Sequence, residues 1–163
     1  MKMMIATLLS LLTCIVFFTG CGNFSVDNRE QSLKVYSFSA RNEFISVSNG
    51  VIVLDDKDEI CYGGDLKVSS NEFVDITAYS TTIYINGNEK KVLLSSGICD
   101  QTGGTIDSTG DIGKVSGDIL KDEDVDKLED NLWFELKTTN LSGEENIYQM
   151  QLETVEITKK ADS

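Results

Sequence analysis

The chain has 163 residues, with 14 Lys or Arg and 27 Asp or Glu, so its formal net charge is −13. The length suits one domain, and the apolar and charged fractions of 40% and 25% are globular values that argue against a disordered or multispan membrane chain. The absence of His excludes mechanisms that use imidazole as base or metal ligand, and the acidity argues against a nucleic-acid partner, whose phosphates would be repelled.

The first twenty residues have the pattern of a secretory leader. Lys2 gives a positive start, and residues 3–18 form an apolar run interrupted only by hydroxyl residues. This run predicts a signal-peptide helix, because a membrane-spanning helix needs about 20 mostly apolar residues. Small residues, Thr19 and Gly20, follow the run and indicate a cleavage site.

The sequence Phe18-Thr19-Gly20-Cys21 resembles the lipobox of bacterial lipoproteins. The resemblance implies transfer of a diacylglyceryl group to the Cys21 sulfur, cleavage before Cys21 and acylation, for example by palmitate, of the new amino terminus. It places the mature chain on the extracytoplasmic face of a cell membrane, held there by lipid. An ordinary secreted protein or a chain with one amino-terminal anchor helix is the alternative.

Four segments follow from this division: a signal peptide at 1–20, a tether at 21–32, one domain at 33–158 and a tail at 159–163. The tether is polar and shows no periodicity, which is typical of a flexible linker. Cleavage removes one charge, Lys2, and leaves a mature net charge of −14. Anionic lipid repels such a chain, so we expect the tether to hold the domain off the bilayer.

The mature chain predicts an all-β domain, because many of its runs alternate apolar and polar residues between turn residues. The pattern indicates an antiparallel β-sandwich, immunoglobulin-like or similar, with a small β-barrel as the alternative. Expected strands are 33–40, 44–48, 51–54, 59–62, 65–68, 73–79, 81–86, 89–95, 131–138 and 147–157.

Three turns connect these strands in the prediction. Asn86-Gly87 is typical of a tight hairpin, since this pair accepts positive φ angles. Asn49-Gly50 indicates either a second hairpin or a bulge in one long strand. Residues 140–146 are expected to close an antiparallel hairpin between the last two strands.

Two segments interrupt the strand pattern. Residues 97–117 contain six glycines and are expected to form long loops around one short strand. Residues 118–130 are strongly acidic, with at most a short helix, and are expected to form a solvated surface.

The cysteines divide between the leader and the domain. Cys14 leaves with the leader and Cys21 is assigned to lipid, so Cys61 and Cys99 remain. An even pair in an exported domain suggests a disulfide, which would stabilise the fold by roughly 3 to 4 kcal/mol. Two separate buried thiols are the alternative. A redox role is not expected, because the pair is not C-x-x-C.

No motif locates a catalytic or metal site. Asp122, Asp124 and Asp126 alternate as in a calcium loop, but Lys127 and Trp133 stand where an EF-hand needs Gly and Glu. The acidic run at 55–59 is expected to be a turn. The phosphate-loop and nucleophile-elbow patterns are absent from the sequence. We therefore expect no enzyme activity, no cofactor and no metal.

An aromatic pair, Trp133-Phe134, is expected to place one ring in the core and the other over a sheet edge, although it could line a ligand groove. Together these features predict a membrane-anchored envelope lipoprotein with a non-catalytic, acidic sandwich that binds an envelope protein or ligand. The alternatives are a lipocalin-like barrel that carries a small ligand and a calcium-dependent adhesion module.

Overall fold

The computed structural model of the chain describes residues 33–55, 58–69, 71–104, 106, 110–120 and 122–160. The predicted signal-peptide helix, Cys21 and the tether lie outside these residues. The described residues all belong to one compact unit, Gln31–Ser163. None of the helices in this part of the chain has the length and apolar composition that crossing a bilayer requires.

The described residues form eleven strands, two short α-helices and one 3-10 helix. The strands are β1 (Lys34–Arg41), β2 (Ile45–Leu54), β3 (Glu59–Tyr62), β4 (Asp65–Val68), β5 (Ile76–Asn86), β6 (Lys90–Gly104), β7 (Gly110–Asp111), β8 (Lys114–Gly117), β9 (Leu132–Asn140), β10 (Glu145–Gln151) and β11 (Glu153–Glu156). The helices are α1 (Asp122–Val125) and α2 (Leu128–Asn131), and the 3-10 helix is Thr158–Lys160.

The strands form two antiparallel sheets. Sheet A has seven strands in the order β11-β1-β2-β3-β8, with β4 also paired to β2 and β7 paired to β4. Sheet B has the order β10-β9-β5-β6. The sheets pack against each other around one core, so the predicted all-β sandwich is confirmed. Within the described residues no strand pairs between the sheets, and the alternative small barrel is wrong.

The core lies between the inner faces of the two sheets. Side chains from both sheets and from the segments between them join one buried cluster, because alternate residues of each strand point inward. Its largest fully buried members are Phe73, Phe134, Ile45, Ile52, Ile83, Ile85, Leu128, Leu132, Leu136 and Leu152.

The Asn49-Gly50 pair lies inside one continuous strand, β2, and not in a hairpin. Phe38 of β1 is opposite Gly50, whereas Ala40 is opposite Val47, so β2 carries one extra residue between these pairs. Asn49 has a positive φ of 59°, which Asn tolerates better than most residues. Of the two predictions for this pair, the bulge is confirmed and the hairpin is wrong.

The hairpin predicted at Asn86-Gly87 connects β5 and β6, but with a longer turn than expected. Asn86 pairs with Lys90, so three residues form the loop, and neither Asn86 nor Gly87 has a positive φ. Strand β6 then continues to Gly104, far beyond the predicted end at 95. The expectation of loops at 97–117 is therefore wrong for the β6 extension and for β7 and β8.

Two further predictions of strand boundaries differ from the structure. Residues 76–79 of the first predicted strand and residues 81–86 of the second form one strand, β5, which pairs with β9 with one irregularity between Ile76 and Ala78. The predicted strand 147–157 is instead divided at Leu152, so that β10 belongs to sheet B and β11 to sheet A. Leu152 is buried, and its N–H donates to the carbonyl of Leu132 at 2.8 Å, which holds the crossing point against the core.

The acidic segment forms the two short helices α1 and α2. It is held to the sandwich by Leu120 and Leu128, which are both buried. The side chain of Glu59 accepts hydrogen bonds from the backbone N–H groups of Ile119 and Leu120, each at 2.6 Å. The predicted solvated acidic surface is therefore also a packed connection between β8 and β9.

Candidate interaction surface

The structure keeps the two domain cysteines apart. Cys61 lies in β3, 1% exposed on the inner face of sheet A, and burial raises its pKa to about 12. Cys99 lies in β6 of sheet B and is exposed. Both are free thiols. The disulfide predicted between them is absent, because the Cys61 side chain faces the core and the Cys99 side chain faces solvent. Cys21 lies outside the described residues.

The acidic residues considered as calcium ligands are placed separately. Asp124 is buried, 2.5 Å from the Nζ of Lys91 and 3.6 Å from the Nζ of Lys127, whereas Asp126 is exposed. The side chain of Asp122 lies outside the described part of the chain. Among the described residues no three metal-ligating side chains cluster together. Asp124 instead connects α1 to β6 through its ion pair with Lys91.

The turn of the β5–β6 hairpin and the acidic segment enclose a cleft of about 750 Å³, whose lining includes Lys90, Lys91 and Lys127. These cations are already matched by carboxylates. Lys90 pairs with Glu135 at 2.8 Å, while the other two contact Asp124. Each of the three lysines thus contacts a carboxylate, and Lys91 and Lys127 share Asp124.

The aromatic pair divides between the two faces of sheet B. Phe134 is fully buried in the core, as expected for one of the two rings. Trp133 is half-buried on the outer face of β9, opposite Tyr84 of β5. Since β9 lies between β10 and β5, Trp133 covers the middle of the sheet, and its predicted place over an edge is wrong.

Polar side chains near Trp133 on the outer face of sheet B form hydrogen bonds with one another. Glu135 accepts hydrogen bonds from Lys90 at 2.8 Å and from Gln149 at 2.7 Å. Burial alone would raise the pKa of this carboxyl group, but the hydrogen bonds together with the charges of Lys90 and Lys137 outweigh burial, and the pKa is lowered. The Nζ of Lys90 also lies 4.1 Å above the ring of Tyr84. The outer face of sheet B therefore carries this paired polar group beside two exposed apolar side chains, Val92 and Ile147.

Two neighbouring rows on the outer face of sheet A are mostly apolar. One row across the sheet contains Ile157, Val35, Val53 and Ile60, and the next contains Val155, Ser37, Val51 and Tyr62. We call these two rows, with Leu33 at their edge, the apolar face. The residues between them along each strand, such as Tyr36 and Ile52, face the core. Side chains on the other side of the same strands must therefore point outward.

The apolar face is open to solvent in the described structure. Leu33, Val155 and Ile157 are 49%, 44% and 46% exposed, and the central residues are half-buried. Contiguous apolar patches of this kind commonly mark interaction sites. This face was missed by the sequence analysis. The signal for it was the uninterrupted apolar run 51–54 in β2, since a strand covered on both faces loses its alternation.

Comparison of the chain with protein-family models, with curated proteins and with solved structures finds no match.

Proposed function

We propose that this protein is a lipid-anchored cell-envelope protein whose acidic sandwich acts without catalysis, as a binding module. The observation that carries the proposal is the leader that ends in Phe18-Thr19-Gly20-Cys21. The fold supports it, because the first described residue, Leu33, begins a compact sandwich only twelve residues after Cys21. A tether of that length has an r.m.s. span of about 20 Å, which keeps the module close to the membrane.

The apolar face is the surface that we assign to binding. It contains eight apolar residues, six of them on four adjacent strands, and Leu33 and Ile157 next to the ends of β1 and β11. Two acidic groups elsewhere have structural partners: Asp124 pairs with lysines, and Glu59 holds the backbone before α1. Binding through this face would use the hydrophobic effect, at about 25 cal/mol per Å² of apolar area covered.

Intact mass spectrometry of the native protein, extracted from membranes with detergent, tests the lipid anchor. The expected mass is that of residues 21–163 plus a diacylglyceryl group, with or without a further acyl chain. The Cys21→Ala variant should lose this mass and the membrane association together. An unlipidated or uncleaved native chain would contradict the anchor.

Binding by the apolar face needs a separate test. The full protein with Val53→Lys should recover less bound material from envelope fractions than the unmodified protein. Thr82→Lys is the matched control, because Thr82 is also half-buried on an outer sheet face, but on sheet B. Equal recovery with both variants would remove the apolar face from the proposal. Turnover of a substrate by the purified protein would contradict the non-catalytic assignment.

A further inference from the structure

We infer that the free edge of β6 at residues 95–99 binds an extended peptide segment of a partner protein, which adds to sheet B as a fifth strand. We call these five residues the open edge. They belong to the opposite sheet from the apolar face, so the inference goes beyond the proposed function and depends neither on that face nor on the lipid anchor.

The open edge has backbone groups without a strand partner. Among the described residues, β6 is the last strand of sheet B and pairs only with β5. The pairing runs in continuous register from Leu94 to Cys99, so alternate residues direct their N–H and C=O groups away from β5. All five residues of the open edge are exposed. Such a row of groups is a template for the backbone of another extended chain.

The side chains of the open edge do not protect it. Folded proteins commonly protect a free edge with lysine, proline, a bulge or a very short strand. The open edge has the sequence Ser-Ser-Gly-Ile-Cys without a charged residue, and the lysines and the bulge of β6 lie at 90–93. The edge strands of sheet A, β7, β8 and β11, have only two to four residues. The open edge is therefore accessible over a length that those edges do not offer.

The inner face of sheet B is uncovered behind the open edge. Ile98 is opposite Tyr79 of β5, whose ring packs against the core, so Ile98 points inward as well. It is nevertheless 57% exposed. Tyr79, Ile98 and Ile106 line a groove of about 160 Å³ at this place. One inward side chain of an added strand would lie in this groove beside Ile98.

Sheet A is also incompletely covered on this side of the sandwich. Its main path has five strands, whereas sheet B has four. In β8, which contacts β6, Val115 is opposite Cys61, and Cys61 is 1% exposed in the core. Val115 therefore points inward too, yet it is only half-buried. A strand added beside β6 lies on the side where both sheets leave inward apolar side chains uncovered.

The free edge of β10 does not share this property. It is the other edge of sheet B, and its inward side chains, Tyr148 and Met150, pack against the core. The ring of Tyr148 also meets the ring of Phe73 edge to face, with centroids 5.2 Å apart. An added strand at β10 would gain backbone hydrogen bonds without an apolar groove. We therefore expect strand addition at the open edge and not at β10.

These features specify the chemistry of the partner segment. Its backbone is extended over about 17 Å, the length of five strand residues, and one of its inward side chains is apolar and small enough for the groove. A small apolar molecule would fill the groove but leave the backbone groups of the open edge unpaired. A second copy would bring two chains of net charge −13 edge to edge, which is repulsive.

Hydrogen exchange of the full protein, measured by mass spectrometry, tests the strand addition. The probe is a blocked seven-residue peptide of alternating threonine and valine. The control peptide has the same side chains with every backbone nitrogen methylated, so it cannot donate along a strand edge. At a probe concentration ten times its Kd, the outward amides of the open edge should exchange about tenfold more slowly. The amides of β10 should not change, and the methylated peptide should have no effect.

A matched pair of variants tests the groove. Ile98→Lys places a charge beside the inward side chain of the added strand and should weaken probe binding by about tenfold or more. Ile147→Lys is the control, because Ile147 is 59% exposed and lies on the other free edge of sheet B. Thermal midpoints verify that both variants are folded. Ile98→Asn provides the same test if the midpoint of the lysine variant falls.

The outcomes decide between the occupants. No slowing at about 1 mM probe, equal slowing at β10, or equal binding by Ile98→Lys would overturn the inference. Slowing at the open edge that grows with protein concentration, without any peptide, would also overturn it and identify a second copy as the occupant. Val53→Lys, on the apolar face, should bind the probe normally, so failure of the open edge is distinguished from failure of the proposed function.

Discussion

Gly50 offers the sharpest test of the packing in sheet A. It lies in β2 opposite Phe38, whose ring is 2% exposed. A Cβ atom added at residue 50 would overlap three atoms of that ring, Cε2, Cδ2 and Cζ. Since Gly50 does not have a positive φ, the backbone accepts alanine and the effect of Gly50→Ala is purely steric.

The loss of unfolding free energy in Gly50→Ala depends on how far the Phe38 ring can move. Phe38 is enclosed by the core and cannot turn toward solvent without losing its buried contacts. Inserting one methyl group into a well-packed core costs about 1 to 3 kcal/mol, and three overlapping ring atoms place Gly50→Ala near the upper end. Phe38→Ala alone should cost about 3 to 5 kcal/mol through the cavity it leaves. In the double variant the new methyl group fills part of that cavity, so the costs should fall short of additivity by about 1 to 3 kcal/mol.

Urea unfolding of the four proteins, followed by circular dichroism and Trp133 fluorescence, measures these energies. A loss of about 3 kcal/mol should lower the unfolding midpoint by about 1 to 3 M with an unchanged slope. Gly104→Ala is the control, because a Cβ atom there meets no other atom within 4 Å, and it should change stability by less than about 0.5 kcal/mol. The reasoning is refuted if Gly50→Ala behaves like this control or if the two costs simply add.

Three further predictions concern the cysteines and the ion pairs. In the folded protein maleimide should label Cys99 but not Cys61, whose pKa burial raises to about 12; peptide mapping that finds label on Cys61, or none on Cys99, would contradict the placement of these thiols. Lys91→Met should lower the free energy of unfolding by about 1 to 2 kcal/mol in urea titrations, because it removes the 2.5 Å ion pair between Lys91 and buried Asp124, and an unchanged midpoint would argue against this. A hydrogen bond from Lys159 lowers the pKa of Glu156 below its ordinary value of 4.5, so this carboxylate contributes stability above that pH and the contribution is lost on further acidification. The midpoint of Glu156→Gln should therefore fall less between pH 6 and pH 3 than that of the unmodified protein, as urea titrations at each pH would measure.

Several parts of the fold followed from local sequence. The strands predicted at 59–62 and 65–68 are β3 and β4 with the same bounds, because the turn pair Gly63-Gly64 separates two short strand-like runs. The hairpin between β9 and β10 formed where Gly143, at φ 80°, allows the chain to reverse. The buried position of Phe134 was also expected from the alternation in β9.

Other features needed the tertiary structure, because they depend on partners distant in the chain. Whether Asn49-Gly50 turned or bulged depended on Phe38 from β1 packing on Gly50, and Asp124 became structural only through Lys91 of β6.

The period-two pattern by itself determined that the domain is an antiparallel β-protein. Only the order of the strands decided that Val35, Val53 and Ile60 meet on one outward face, since alternation tells which residues share a face but not which strands become neighbours.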